Sequence, residues 1–255
     1  MTNNQQKTKI LVIDTEGIGA YNEEENHDIK IFLIAMLLSS YFIYNSVGNI
    51  DEQALNSLTL IINLAKDIQI KSHSSDSEKE DPANYFPSFL WIVRDFALKM
   101  VDSNGVAITP KDYLERALEL QKGVSDAIES KNRIRRLFKH FFKDRECCTL
   151  VRPIENEKDL QKINTMDDSL LREEFIDQIR QTRKKIFKKI KPKSINGKYL
   201  NGSMLIELCK AYIQAMNTGN MPNIETAWTY LCKNESHKAL QGKKLEDKKK
   251  HNVFF

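Results

Sequence analysis

Four short apolar runs stand out along the chain, and each ends at charged or turn-forming residues. Residues 9–13 (KILVI) run into Asp14, residues 41–44 (YFIY) into Asn45 and Ser46, residues 89–93 (FLWIV) into Arg94 and Asp95, and residues 147–151 (CCTLV) into Arg152 and Pro153. Runs of this length, rich in β-branched and aromatic side chains, predict buried strands. Between them the period changes. Residues 29–38 read as a buried helix, and Leu55, Leu58, Ile62, Leu64 and Ile68 fall near helical spacing on one face of residues 51–68. Residues 71–84 have no large apolar side chain and read as a surface loop. Thr109 followed by Pro110 is a helix start, the hydroxyl capping free amides and the proline ring supplying the first-turn φ. That helix covers about 111–121, and another covers 131–142.

From Asp168 onward only helical patterns are read, including a helical hairpin over 204–216 and 224–231 punctuated by Gly197, Gly202, Gly219 and Pro222. Strands alternating with helices predict an α/β fold with a mainly parallel sheet covered on both faces. A domain boundary near Lys193 separates residues 1–193 from residues 194–255. In such sheets ligands lie beyond the carboxyl ends of the strands. That edge collects Asp14, Thr15, Glu16 and Gly17, then Asn45 and Ser46, then Arg94 and Asp95, then Arg152, and it is the predicted site.

Composition narrows the class. The chain has 255 residues, 41% hydrophobic, with 39 Lys plus Arg against 35 Asp plus Glu. That is material for a soluble globular core, and a formal charge of +4 gives no reason to expect nucleic acid as partner. The start of the chain lacks the apolar core of a signal peptide, so a cytoplasmic location is expected. Four Cys, two of them the adjacent Cys147 and Cys148, offer neither a disulfide framework nor a CxxC pair and are expected to be reduced and structural. The scattered His27, His73, His140, His237 and His251 match no zinc spacing. The last four residues contain no Cys, so no prenylation signal is read there.

Asp14-Thr15-Glu16-Gly17 after an apolar strand fits the D-x-x-G loop of P-loop GTPases, in which the carboxylate faces Mg²⁺ through water and the glycine amide reaches the γ-phosphate. Alone it reads equally well as a plain turn. The strings VIDTEGIG, LLSSYFIYNSVGNIDEQALNSL, FPSFLWIVRDF, TPKDYLERALELQKG, VRPI and NGSMLIELCKAYIQAMNTGNMPNIETAW, in that order, resemble the guanylate-binding protein and atlastin family of dynamin-like large GTPases, and lean toward the guanylate-binding proteins. The resemblance covers nearly the whole chain.

It implies GTP binding and Mg²⁺-dependent hydrolysis, activated by dimerisation with a copy of the chain or with other family members. Residue by residue it assigns Asp14 to the metal and Gly17 to the γ-phosphate. Arg94 and Asp95 become the guanine-reading R-D pair, and Arg152 with the segment to about Asp168 the cap over the base. A carboxylate accepts from guanine N1–H and the 2-amino group together, a pattern adenine lacks; a salt-bridged pair at a strand end is the plainer reading. The phosphate loop G-x-x-x-x-G-K-S/T does not occur. Gly197 and Gly202 have its spacing, but Ser203 stands where Lys is needed.

The expectation is therefore a partial P-loop GTPase-type sheet, with first strands and P-loop missing, followed by the start of an α-helical middle domain. Little GTPase activity is expected from this chain alone. The alternative is a non-catalytic pseudo-GTPase or interaction module that retains the base-reading edge. Finally, Arg183 to Lys193 form a basic tract that could attract phosphate or an anionic membrane surface. It reads first as a solvated helix face, because Phe175, Ile179, Ile186 and Ile190 form one stripe interrupted by Thr182.

Overall fold

The computed structural model describes residues 9–15, 25–58, 82–195, 197–218, 227–237 and 240–241. In chain order the elements are α1 (Glu25–Leu38), β1 (Tyr41–Val47), α2 (Glu52–Ser57), β2 (Ser88–Arg94), α3 (Pro110–Ala117), α4 (Asp126–Phe141), β3 (Arg145–Thr149), α5 (Glu157–Leu160), α6 (Glu173–Lys189), β4 (Ser194–Ile195), β5 (Lys198–Tyr199) and α7 (Gly202–Asn217). Short 3-10 turns occupy Pro82–Tyr85, Ile163–Thr165 and Asp168–Leu170, and residues 227–237 are helical. The chain divides into two compact units. One comprises Met1–Leu38, Leu64–Tyr85 and Pro192–Phe255; the other comprises Ser39–Asn63 and Phe86–Lys191. The expected cut near Lys193 coincides with only one of these joins.

The second unit holds a parallel sheet in the order β1-β2-β3. Its middle strand explains the uninterrupted apolar run at 89–93: Phe89, Leu90, Trp91 and Val93 are all buried, so both faces of β2 need apolar side chains. Register places Phe42, Tyr44 and Ser46 beside Phe89, Trp91 and Val93 on one face. α4 covers that face. Phe138 meets Phe89 edge-on at 5.0 Å between ring centroids, and Phe142, just past the helix, approaches Phe89 to 4.6 Å. These aromatic contacts add specific geometry to the buried area. On the opposite face at the β1 edge, Ile43 and Val47 are exposed.

Helix starts follow the local chemistry. Thr109 and Asp112 form a reciprocal capping box with Pro110 in the first turn of α3, as the sequence predicts. Asp51 caps α2 by accepting from the Ala54 amide at 2.8 Å, and Ser125 caps α4. A buried polar knot then ties these helices together. Arg135, in α4, pairs with Glu52 of α2 and donates to the Ala117 carbonyl at 3.1 Å. Beside it, Asn132 exchanges two hydrogen bonds with the Gln121 backbone.

In the first unit α1 buries Phe32, Leu33, Met36 and Leu37 and packs on α7, which presents Leu208, Tyr212 and Met216 at four-residue intervals. The expected all-helical region after Asp168 is corrected by the antiparallel hairpin β4-β5, whose turn contains Gly197 at φ 72°. Two-residue strands are too short to leave a hydrophobic period. Gly197 therefore lies in a hairpin turn and only Gly202 in a helix.

A second correction concerns residues 9–13. They form no strand, and Ile10, Leu11, Val12 and Ile13 are exposed. β-branched composition marks a segment fit for a sheet, but a strand exists only where a neighbour completes its ladder. None does so here among the described residues. β1 runs to Val47, beyond its expected end at Tyr44, and β3 stops at Thr149. Gly17, Gly19, and the predicted helix and loop over 59–81 lie outside the described residues.

The four cysteines are free, and Cys147 and Cys148 are buried in β3. Burial pushes the Cys147 thiol up to about 12, so it stays protonated. Next to it, Glu146 lies 3.4 Å from Lys111, 3.5 Å from Lys185 and 3.4 Å from Lys189. Partial burial pushes its carboxyl up, but the three ammonium groups outweigh this and hold it below the usual carboxylate range. A depressed carboxylate stabilises the fold fully above its unfolded pKa, and that contribution is lost as pH falls through the folded value. Glu146→Gln should therefore cost about 1 kcal/mol or less at neutral pH, since the lysines are solvent-screened. Urea unfolding across the acid range should show the gap between variant and parent closing as Glu146 protonates.

Candidate functional site

The carboxyl edge of the sheet is shaped by how β2 ends. Val93 is fully buried, Arg94 and Asp95 are exposed, and Phe96 is buried again. The backbone after β3 brackets this step: the Leu150 amide donates to the Val93 carbonyl at 2.8 Å, and the Phe96 amide donates to the Leu150 carbonyl at 2.9 Å. On the β1 side the Gly48 amide donates to the Arg94 carbonyl at 2.8 Å. Asp95 therefore bulges between two fixed points and takes φ 53°, the one non-glycine with positive φ among the described residues. Asp and Asn tolerate this region better than other side chains. Phe96 anchors the step from below, its ring edge-on to Tyr113 at 5.3 Å, while the Tyr113 hydroxyl accepts from the Ile50 amide at 2.9 Å.

Arg152 reaches the same edge from the segment after β3. Leu150 and Ile154 are buried on either side of it. Between them α6 straps the backbone. Gln178 Oε1 accepts from the Val151 amide at 2.7 Å, the Arg172 amide donates to the Pro153 carbonyl at 2.9 Å, and Arg172 Nη1 donates to the Arg152 carbonyl at 3.4 Å. The Arg152 guanidinium lies 3.5 Å from the largely exposed Glu157, and its Nε is buried without a hydrogen-bond partner among the described residues. Residues 156–171 that follow are held by local caps, Asn156 accepting from Lys158 and Asp167 from Ser169, both at 2.9 Å.

Three of the predicted site residues, Arg94, Asp95 and Arg152, are thus brought to one edge. Asn45 and Ser46 are corrected: they lie inside β1, and Ser46 Oγ accepts from Trp91 Nε1 at 2.8 Å, so this hydroxyl serves packing. Asp14 is exposed, outside any strand and in the other compact unit, and Gly17 lies outside the described residues. Among the described residues no three His, Cys, Asp or Glu side chains gather as metal ligands. The pattern of apolar runs missed Phe96, Tyr113, Arg172 and Gln178, which hold the edge in place. Phe96 left a signal as an apolar residue directly after the charged pair; Gln178 left none.

Comparison with known proteins gives this edge a context. Residues 1–195 match the family described as guanylate-binding protein, N-terminal domain, and residues 196–245 match guanylate-binding protein, C-terminal domain. The chain belongs to the guanylate-binding protein family. It is 34% identical over 239 residues to guanylate-binding protein 1 of Homo sapiens, covering 91% of this chain and 40% of that protein. Against guanylate-binding protein 7 of Mus musculus it is 35% identical over 240 residues, covering 92% and 38%. The chain thus spans about two fifths of the length of the curated relatives it matches. In this guanylate-binding protein chain the two matched domains meet within the β4-β5 hairpin.

The geometry at Asp95 sets a stability test. Asp95→Asn and Asp95→Gly should leave unfolding free energy within a few tenths of a kcal/mol, whereas Asp95→Val should cost ~1–2 kcal/mol because a β-branched side chain is strained at positive φ. Urea denaturation of the three variants measures this directly.

Proposed function

We propose that this chain carries the guanine-reading edge of a guanylate-binding-protein-type large GTPase. The observation that supports it best is the Arg94-Asp95 step at the buried strand's end, with Asp95 held at φ 53° between two hydrogen bonds to Leu150, two residues before Arg152. A carboxylate projecting there accepts two hydrogen bonds, from guanine N1–H and the 2-amino group, and a charge-assisted pair of this kind is strong and selective. Adenine presents an acceptor at N1 and no 2-amino group, so it leaves the carboxylate unpaired. Arg152, on the neighbouring segment, would lie against the base, with the residues that follow it to about Asp168 as the cover. Both roles rest on the family resemblance together with this placement.

Hydrolysis of GTP, its dependence on Mg²⁺ and its activation by dimerisation are proposed for the larger family architecture. Phosphoryl transfer depends on positioning and charge stabilisation around the γ-phosphate. Mg²⁺ bound with GTP supplies charge neutralisation there. Asp14 is the residue that the resemblance assigns to it. What the chain's own residues do is select the base.

Nucleotide binding tests this reading on the 255-residue chain. Ligand-detected NMR should show GMP bound in preference to AMP. Asp95→Asn should weaken GMP by roughly tenfold or more, the loss of a charged acceptor, and improve XMP relative to GMP because the amide donates to the 2-oxo group. Equal binding of AMP and GMP, or an unchanged preference in Asp95→Asn, would remove Asp95 from base reading. GTP turnover by the same chain is expected to be slow, because the sequence contains no G-x-x-x-x-G-K-S/T loop to cradle the triphosphate.

A further inference from the structure

The basic tract has a structure its sequence pattern did not reveal. Residues 180–193 contain eight Lys and Arg and no carboxylate. They divide by direction. Lys185 and Lys189 turn to Glu146 and Asp144, and Lys193 donates to the Tyr85 carbonyl at 3.2 Å. Thr182, which interrupts the apolar stripe, is itself buried, so the stripe faces inward there. Arg180, Arg183, Lys184 and Lys188 instead line a shallow surface hollow with Phe187.

Positions 180, 183, 184, 187 and 188 share one side of α6 and extend about 12 Å along it. Phe187 is 56% exposed, a large apolar side chain set among cations. The Arg183 guanidinium sits over its ring, 5.7 Å from the centroid. Of the four cations on this side, Arg180 has the one ion pair among the described residues, with the exposed Asp177.

We propose that this face of α6 docks on a membrane surface bearing anionic phospholipid headgroups. Charge complementarity selects an anionic surface: four cations on one line, with Glu146 and Asp144 drawn to the opposite, sheet-facing lysines and Asp177 paired to one cation of the line, Arg180. Phe187 selects a lipid surface over a nucleic acid. The Arg183 guanidinium covers one of the two ring faces, which leaves a base only the other, whereas an exposed apolar ring flanked by cations suits the headgroup and acyl boundary. The attachment is peripheral: no helix among the described residues is long and apolar enough to cross a membrane. Each basic residue near an anionic leaflet adds an attraction that salt screens.

Vesicle co-sedimentation of the full chain tests the proposal. The chain should sediment with vesicles of phosphatidylcholine and phosphatidylserine in equal amounts but not with phosphatidylcholine alone, and added salt should release it. Arg183→Gln, Lys184→Gln and Phe187→Ala, all at the surface, should each lower partitioning by about fivefold. Lys210→Gln, removing an equally exposed charge from α7, should not. Equal binding to both vesicle types, or unchanged binding in all three α6 variants, would overturn the proposal. So would binding of a single-stranded oligonucleotide in place of vesicles, lost in the same variants.

Discussion

Everything at the carboxyl edge depends on β2 being paired along both edges and buried on both faces. Its ladder to β1 runs through seven residues and its ladder to β3 through five, so its last residues cannot shift without breaking one of them. The aromatic cluster of Phe89, Trp91, Phe138 and Phe142 then prevents sliding, because a one-residue slip would turn those side chains to the opposite face. Val93 is the last residue under this constraint. Arg94 and Asp95 leave it in a defined direction, and Phe96 returns to the core to hold them there.

The positive φ at Asp95 follows from the same constraint. The Leu150 backbone pairs with Val93 and Phe96, so the residues between them must bulge. The side chain at this bulge is exposed, so nothing in the core demands an apolar residue there. Local strain of this kind survives only when the surroundings over-determine it. Here they do so through the Tyr113 and Ile50 contacts on one side and the Gln178 and Arg172 straps on the other.

Arg94, Asp95 and Arg152 were legible as candidates because strand ends can be read from where apolar runs stop, and ligands gather at that edge in parallel sheets. Family resemblance then carried the proposal that they read guanine. The elements that hold them were less legible. Gln178 sits in a helix 27 residues from the amide it binds, a relation no local period encodes. Ser46, read as a site residue, is taken by the Trp91 indole, because a buried N–H must find an acceptor and this hydroxyl lies one strand away.

By itself the sequence determined the presence of β1, β2 and β3 in that succession along the chain, their parallel direction through the intervening helices, the Thr109 capping box and the family. Each of these is encoded by neighbours in the chain or by periods of two and 3.6 residues. Only the tertiary structure decided which apolar segments become strands. KILVI at 9–13 and FLWIV at 89–93 are equally fit for a sheet, yet only the second has neighbours on both edges. It also decided that Thr182 faces inward while Phe187 faces out. Burial depends on what an element packs against, and contact with a distant part of the chain leaves no mark on local composition.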